Sequence, residues 1–208
     1  MNNHILCDSE NHPIISQIKI AIKQSTIDAS LLTHVKDLTT GDFLFLVSCN
    51  TILPSELLQR YKYVLVLHAS DLPKGRGWNP HIWQVVNGES SIVVSLLEAS
   101  EKLDSGDIWL QRTIEILETD IYTDINKKLF EAEIQLMKHA IDTFQEIIPT
   151  AQSGESTYYR KRQPEDSEIN VRASIESQFN LLRVCDPDRF PAFMYMNGQR
   201  YTLKLEKS

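Results

Sequence analysis

Short continuous apolar runs alternate with segments whose apolar residues recur at helical spacing, and this alternation predicts an α/β fold. Ile5-Leu-Cys7, Leu31 to Val35, Phe43-Leu-Phe-Leu-Val47 and Tyr63-Val-Leu-Val-Leu67 read as strands; the third is too short and too continuously apolar for a helix. Between them, Pro13 to Lys23 carries Ile14, Ile15, Ile18, Ile20 and Ala21 at helical spacing, and Pro54 to Arg60 opens a helix with proline in its first turn. Strand, helix, strand within so few residues predicts a parallel crossover from the Phe43 strand to the Tyr63 strand. Farther on come a short helix over Pro80 to Val86 and strands over Ser91 to Ala99 and Ile108 to Ile116. The longest helical pattern runs from Ile121 to Ile148, with Ile125, Leu129, Ala132, Leu136, Ala140 and Phe144 along one face, Asp120 before it and Pro149 after it. The expected architecture is a Rossmann-like, mostly parallel sheet flanked by helices.

After Pro149 the pattern changes. Ala151-Gln-Ser-Gly154 reads as a loop, Tyr158 to Arg162 is aromatic and basic, and Gln163 to Ser167 is a turn. Ser174 to Val184 then predicts a helix. Ala192 to Met196 and Gln199 to Leu205 flank Asn197-Gly198, the turn pair of a type I′ hairpin. The division expected is a core over 1–150 and a C-terminal helix-and-hairpin appendage over 151–208. A two-stranded hairpin is marginal alone. Phe193, Tyr195, Tyr201 and Leu203 need partners, so a homodimer built on the hairpin is expected, beside the alternative that it packs on its own chain.

The 208 residues suit one α/β domain with a small addition. A net charge of -7 argues against a broad nucleic-acid footprint, while leaving room for a local anion site. Three scattered cysteines without a CxxC read as reduced thiols, and no metal-ligand set is expected. No apolar run approaches a membrane span and no leader pattern opens the chain, so a cytoplasmic protein without membrane contact is expected.

The Tyr63–Leu67 run ends in His68, followed by a Pro/Gly-rich loop, which puts a titratable side chain at the carboxyl end of a parallel strand, where α/β folds place their sites. Asp104 sits in the tight turn Asp104-Ser-Gly106 between two strands. Taken alone, the first reads as a strand-end histidine and the second as a turn aspartate. Lys74 and Arg76 read equally as anion contacts or as solvated loop residues. Trp78 and Trp83 read first as packing, although Trp78 lies in the glycine-rich loop and an aromatic face suits sugars and bases.

In order, the chain carries His68, Ser70-Asp-Leu-Pro73, Arg76-Gly77, Asn87-Gly-Glu89 and Asp104-Ser-Gly106. This series resembles the formyltransferase family that uses N10-formyltetrahydrofolate. The family's strand ends Asn-x-His, and here the position two before His68 is Val66. The resemblance implies that His68 and Asp104 handle the formyl oxygen and the moving proton. It also implies folate binding, largely through backbone, around Val85, Val86, Asn87, Ile92, Glu101, Leu103 and Asp104. Tyr158-Tyr-Arg-Lys-Arg162, the Phe179–Val184 helix and Phe190-Pro-Ala-Phe193 resemble the sugar N-formyltransferases. The acceptor implied is a nucleotide-linked 4-amino-4,6-dideoxy sugar, as in pseudaminic-type surface-polysaccharide pathways. Ser70, Lys74, Arg76, Gly77, Trp78, Asn79, Tyr159, Arg160, Asn180 and Arg183 are the acceptor contacts implied. For the missing amide, Asn50 at the end of the neighbouring strand and Asn79 in the loop are the two substitutes, with backbone or water as the third possibility. The alternatives are a non-catalytic folate or nucleotide-sugar binder, and formyltransferases of the glycinamide ribonucleotide or methionyl-tRNA type. The missing asparagine favours the binder and the retention of both His68 and Asp104 disfavours it. Against the other two formyltransferase types stand, in turn, a first loop, Cys7 to His12, without the glycines of a phosphate loop, and only a short C-terminal segment.

Overall fold

A computed structural model describes residues 1–208. In chain order, β1 (Asn3–Leu6), α1 (Ile14–Lys23) and β2 (Ser30–Leu32) form the opening unit. Then follow β3 (Gly41–Leu46), α2 (Ser55–Leu58), β4 (Tyr61–His68), β5 (Arg76–Gly77) and α3 (Pro80–Val86). The core closes with β6 (Ser91–Glu98), β7 (Ile108–Glu115) and α4 (Tyr122–Thr143). The C-terminal part holds β8 (Tyr158–Tyr159), α5 (Phe179–Arg183), β9 (Ala192–Met196) and β10 (Gln199–Leu203).

Six strands form one mixed sheet in the order β2-β1-β3-β4-β6-β7. The first four are mutually parallel, including the expected β3–β4 crossover, while β6 runs antiparallel to both of its neighbours, β4 and β7. The continuous apolar runs have a simple cause: alternate residues point to opposite faces, and both faces are covered. Ile5, Phe43, Phe45, Val47 and Leu65 join the main core with α1 and α4, whereas Leu6, Leu44 and Tyr61 join a smaller cluster with Leu38 and Leu53.

In α1, Ile14, Ile15, Ile18 and Ala21 are buried; Ile20, expected on the same face, is exposed because it falls two positions past Ile18, on the opposite side of a 3.6-residue turn. In α4 the expected stripe Ile125, Leu129, Ala132, Leu136, Ala140 is buried, and the Asp124 carboxylate accepts from the Ile121 N–H at its start. The helix ends at Thr143, before the expected Ile148. Two other expectations shorten: Val35 begins a 3₁₀ turn rather than ending β2, and the Ser174–Val184 helix is reduced to a 3₁₀ turn, Glu176–Gln178, followed by α5. No helix is long and apolar enough to cross a membrane.

The C-terminal part has its own apolar cluster, Ile169, Leu182, Cys185 and Ala192, against which Met194, Leu203 and Leu205 pack. Asn197 and Gly198 both take positive φ (52° and 79°), as a type I′ turn requires. Phe193 is buried, whereas Tyr195, Met196 and Tyr201 are exposed. Segment 150–159 returns to the core: Thr150 bridges Ile108, and β8 pairs in parallel with β5.

Candidate active site

His68 is the last residue of β4 and is 6% exposed. It stands opposite Ser95 on β6, with parallel β3 on its other side. Its Nε2 lies 2.8 Å from the Gly75 carbonyl oxygen. A carbonyl only accepts, so Nε2 carries hydrogen and the loop fixes the ring's orientation. The other nitrogen, Nδ1, lies 3.7 Å from Asp104 Oδ2. That is longer than a hydrogen bond and within reach of a water or a small rotation.

Asp104 sits in the turn joining β6 to β7 with φ +51°. Its Oδ2 accepts from the Gly77 N–H at 2.9 Å, tying this turn to the loop that follows His68. Two glycines make the approach possible. A Cβ on Gly106 would lie 2.0 Å from the Glu98 carbonyl oxygen, and one on Gly77, whose φ is +96°, would lie 2.4 Å from that of Tyr159. The loop is held from the C-terminal side as well: Gly75 N–H donates to Thr157 Oγ1 (2.8 Å), Arg76 N–H to the Thr157 carbonyl (2.9 Å) and Trp78 N–H to the Tyr159 carbonyl (3.0 Å). Behind His68, Ser95 donates to the Ser70 carbonyl (2.7 Å) and Gln84 to that of Ala69 (2.7 Å), while the buried Ser70 hydroxyl has no partner.

The structure separates the two substitutes for the missing amide. Asn50 is exposed; its N–H and the Thr51 N–H bind the Asp8 carboxylate (2.8 Å each), and its side-chain amide reaches the same group at 3.4 Å. It lines an open cavity of about 510 Å³ with Asp8, Thr33, His34 and Lys36, at the ends of β1, β2 and β3. Those contacts engage Asn50 with the end of β1 rather than with His68. Asn79, at the start of α3 with φ +49°, makes no side-chain cap, so its amide remains free.

Several implied acceptor contacts prove to be internal. Arg76 is 7% exposed, and its guanidinium donates to Gln152 Oε1 (2.6 Å) and the Tyr158 hydroxyl (3.3 Å). Arg183 is buried and donates to the carbonyls of Leu117 (2.7 Å) and Asp120 (3.0 Å) and to Asn180 Oδ1 (2.9 Å), so both Arg183 and Asn180 brace α5 against the start of α4. A side chain at helical spacing on an amphipathic segment turns inward when the helix packs, which sequence alone does not reveal. Lys74 stays exposed. Trp83 stacks on Tyr159 (6.3 Å, 11° between planes), and Arg160 lies 4.9 Å over the same indole while its fork grips Asp166. Lys161 lies 4.6 Å over Trp78, so this aromatic and basic ledge borders the His68 loop. Among the implied folate contacts, Val85 and Ile92 bury their side chains in the main core and offer only backbone, Val86 is half-buried, and Asn87, Glu101 and Leu103 are exposed.

Sequence reasoning missed Gln152, read as loop, and two histidines. Burial pushes His12 down to about 4, with the Arg189 charge adding to it, and His81 down to about 3, with the fields of His12, His68 and Arg162 adding. Both rings are therefore neutral at neutral pH. The Cys49 thiol is pushed up to about 12 by burial and Cys7 is raised too, so neither is an activated nucleophile.

Fold and site together define an α/β domain with an oriented histidine beside a turn aspartate at the carboxyl edge of its parallel strands. The chain belongs to the formyl transferase family, whose model matches residues 9–141. It is 35% identical over 177 residues to the methionyl-tRNA formyltransferase of Thermodesulfovibrio yellowstonii, covering 83% of this chain and 56% of that protein. The chain thus spans little more than half the length of that relative. Among solved structures, HypX from Aquifex aeolicus in complex with tetrahydrofolic acid is similar with a TM-score of 0.80 and 21% identity, over 96% of this chain and 36% of that one. A sugar N-formyltransferase from Shewanella sp. is similar with a TM-score of 0.74 and 18% identity, over 100% of this chain and 98% of that one.

Proposed function

We propose that this protein transfers a formyl group from N10-formyltetrahydrofolate to the amine of a nucleotide-linked 4-amino-4,6-dideoxy sugar. The observation that carries the reading is the His68–Asp104 pair, 3.7 Å apart and clamped by the Gly75 carbonyl and the Gly77 N–H. The transfer needs a donor for the developing oxyanion and a route for the amine proton. His68 serves the proton at Nδ1, where a proton taken up lies against the Asp104 carboxylate. The Asn79 amide, free and in the loop that Asp104 grips, serves as the non-titrating donor in place of the family's asparagine. For the folate, Leu103 is an apolar side chain 55% exposed beside Asp104, the kind of surface a flat ring system covers, with backbone around Asn87 and Glu101 on its flanks.

The sugar acceptor draws support from the ledge. Trp78, Tyr159, Arg160 and Lys161 present aromatic faces and positive charge next to the loop, which suits a nucleotide better than a tRNA on a chain of net charge -7. The methionyl-tRNA reading rests on the 35% identity. In this scheme residues 1–150 carry the chemistry, and 151–208 contribute acceptor contacts and, through Tyr195, Met196 and Tyr201, a homodimer contact in the cytoplasm. Turnover of formyltetrahydrofolate with a panel of nucleotide amino sugars, beside charged methionyl-tRNA, tests the acceptor. Formylation of the tRNA alone overturns the sugar reading, and no turnover with any acceptor favours a binding protein. Light scattering on the full chain tests the dimer, and a monomer at high concentration rejects it.

A further inference from the structure

We propose that Gln152, in the segment that follows the core, is a positioning residue that holds the turn carrying Asp104 in register with the His68 loop. The inference rests on the formyl-transfer reading above and adds a residue that reading does not use.

The amide of Gln152 makes three hydrogen bonds. Its Nε2 donates to the carbonyls of Asp104 (2.9 Å) and Gly106 (2.8 Å), and its Oε1 accepts from Arg76 Nη2 (2.6 Å). Carbonyls only accept and a guanidinium only donates, so all three partners demand the same amide orientation. No other donor reaches these two carbonyls. The contacts also close a ring. Gln152 holds the Asp104 main chain, the Asp104 carboxylate holds the Gly77 N–H, and Gly77 is bonded in the chain to Arg76, which returns to Gln152. Two loops more than 25 residues apart are thereby fixed to each other at the point where Asp104 must face His68.

The ring has a reason to stay closed. Arg76 is buried with no carboxylate partner, its Nε has no acceptor, and Gln152 Oε1 is its shortest contact. Turning the amide away would leave a buried charge short of an acceptor as well as freeing the turn. Asp104 already sits in the left-handed region, which a non-glycine residue holds only when its surroundings enforce it.

Three variants separate positioning from simple support of Arg76. Gln152→Ala removes all three contacts. Gln152→Glu keeps an acceptor for Arg76 but loses both donors and sets a carboxylate against two carbonyls. Gln152→Asn shortens the reach by one methylene. Each is assayed by formation of tetrahydrofolate from N10-formyltetrahydrofolate with the best acceptor of the panel, alongside thermal unfolding. Misplacing a reacting group by about an ångström costs on the order of 100-fold. We expect kcat to fall roughly 10- to 100-fold in both Gln152→Ala and Gln152→Glu, with KM for donor and acceptor changed by less than about threefold. Because Gln152 acts through Asp104, Gln152→Ala in an Asp104→Asn background should lower the residual single-turnover rate by less than about twofold. Wild-type kcat in folded Gln152→Glu, or a full additional loss in the Asp104→Asn background, would overturn the proposal. If Gln152→Ala does not fold, the Gln152→Glu and Gln152→Asn results decide in the same way. A wild-type protein that turns over no formyltetrahydrofolate refutes the enzyme reading instead, so the two failures are distinct.

Discussion

Glu133 offers a measurable consequence of the packing that builds this fold. It lies on the inner face of α4, is 6% exposed, and its Oε2 has no hydrogen-bond partner. Burial raises its carboxyl from 4.5 to about 8. The folded state therefore binds a proton that the unfolded chain releases above about 4.5. The stability this group contributes is fully present below that unfolded value and is lost as pH rises through about 8. Each unit corresponds to about 1.4 kcal/mol, so the rise of 8 less 4.5 sets a ceiling of about 5 kcal/mol, of which about 3 kcal/mol is lost by pH 7. Glu133→Met removes the titration and replaces the carboxyl with an apolar chain of similar length, at a pH-independent packing change of about 1.5 kcal/mol or less. Urea unfolding of both proteins at pH 5, 6, 7 and 8 gives the difference directly, since every other group cancels. The variant should gain on the wild type with each pH unit, by up to about 1.4 kcal/mol per unit, and should be the more stable protein at pH 8. Parallel stability curves across this range would refute the assignment of a buried, neutral carboxyl.

Three further outcomes follow from the site. His68→Ala should lower kcat by roughly 10²–10³-fold with the fold intact, and Asp104→Asn should be similarly damaging; a folded His68→Ala with near wild-type turnover places the chemistry elsewhere. Asn79→Ala should lower kcat with little change in KM while Asn50→Ala leaves kcat nearly unchanged, because only the first keeps a free amide; steady-state kinetics with both substrates saturating and varied reads the split. Arg183→Ala should destabilise the protein by roughly 2–3 kcal/mol in urea unfolding, through loss of charged hydrogen bonds to the Leu117 and Asp120 carbonyls, with acceptor KM unaffected; a raised KM at unchanged stability would return Arg183 to the binding surface.

Much of the candidate site was legible in the chain because its signals are local. A strand that ends in histidine followed by a proline- and glycine-rich loop announces a strand-edge side chain, and Asp-Ser-Gly announces a turn. That these two meet is not local, and only the family resemblance brought His68 and Asp104 together before the fold did. The readings that changed are those of long polar side chains. Arg76 and Arg183 look alike in sequence as surface cations, yet both point inward, because the carbonyls and amides that receive them come from segments more than 60 residues away. Asn50 met the same limit, since its amide partner, Asp8, lies at the end of a strand two turns of topology earlier.

The pattern of apolar runs and helical spacings by itself determined the number and order of the main elements, the parallel crossover, the amphipathic face of α4 and the type I′ hairpin, because each follows from periodicities of 2 and 3.6 residues or from the φ values that Asn and Gly permit. Tertiary structure alone decided how the antiparallel β6–β7 pair joins the sheet, which polar side chains became internal, and that Gln152 from a nondescript loop closes on the Asp104 turn. Those outcomes depend on which carbonyls and amides are left without partners once the layers pack. A buried polar group must find its complement wherever the chain happens to pass, and no window of sequence contains both halves of that contact.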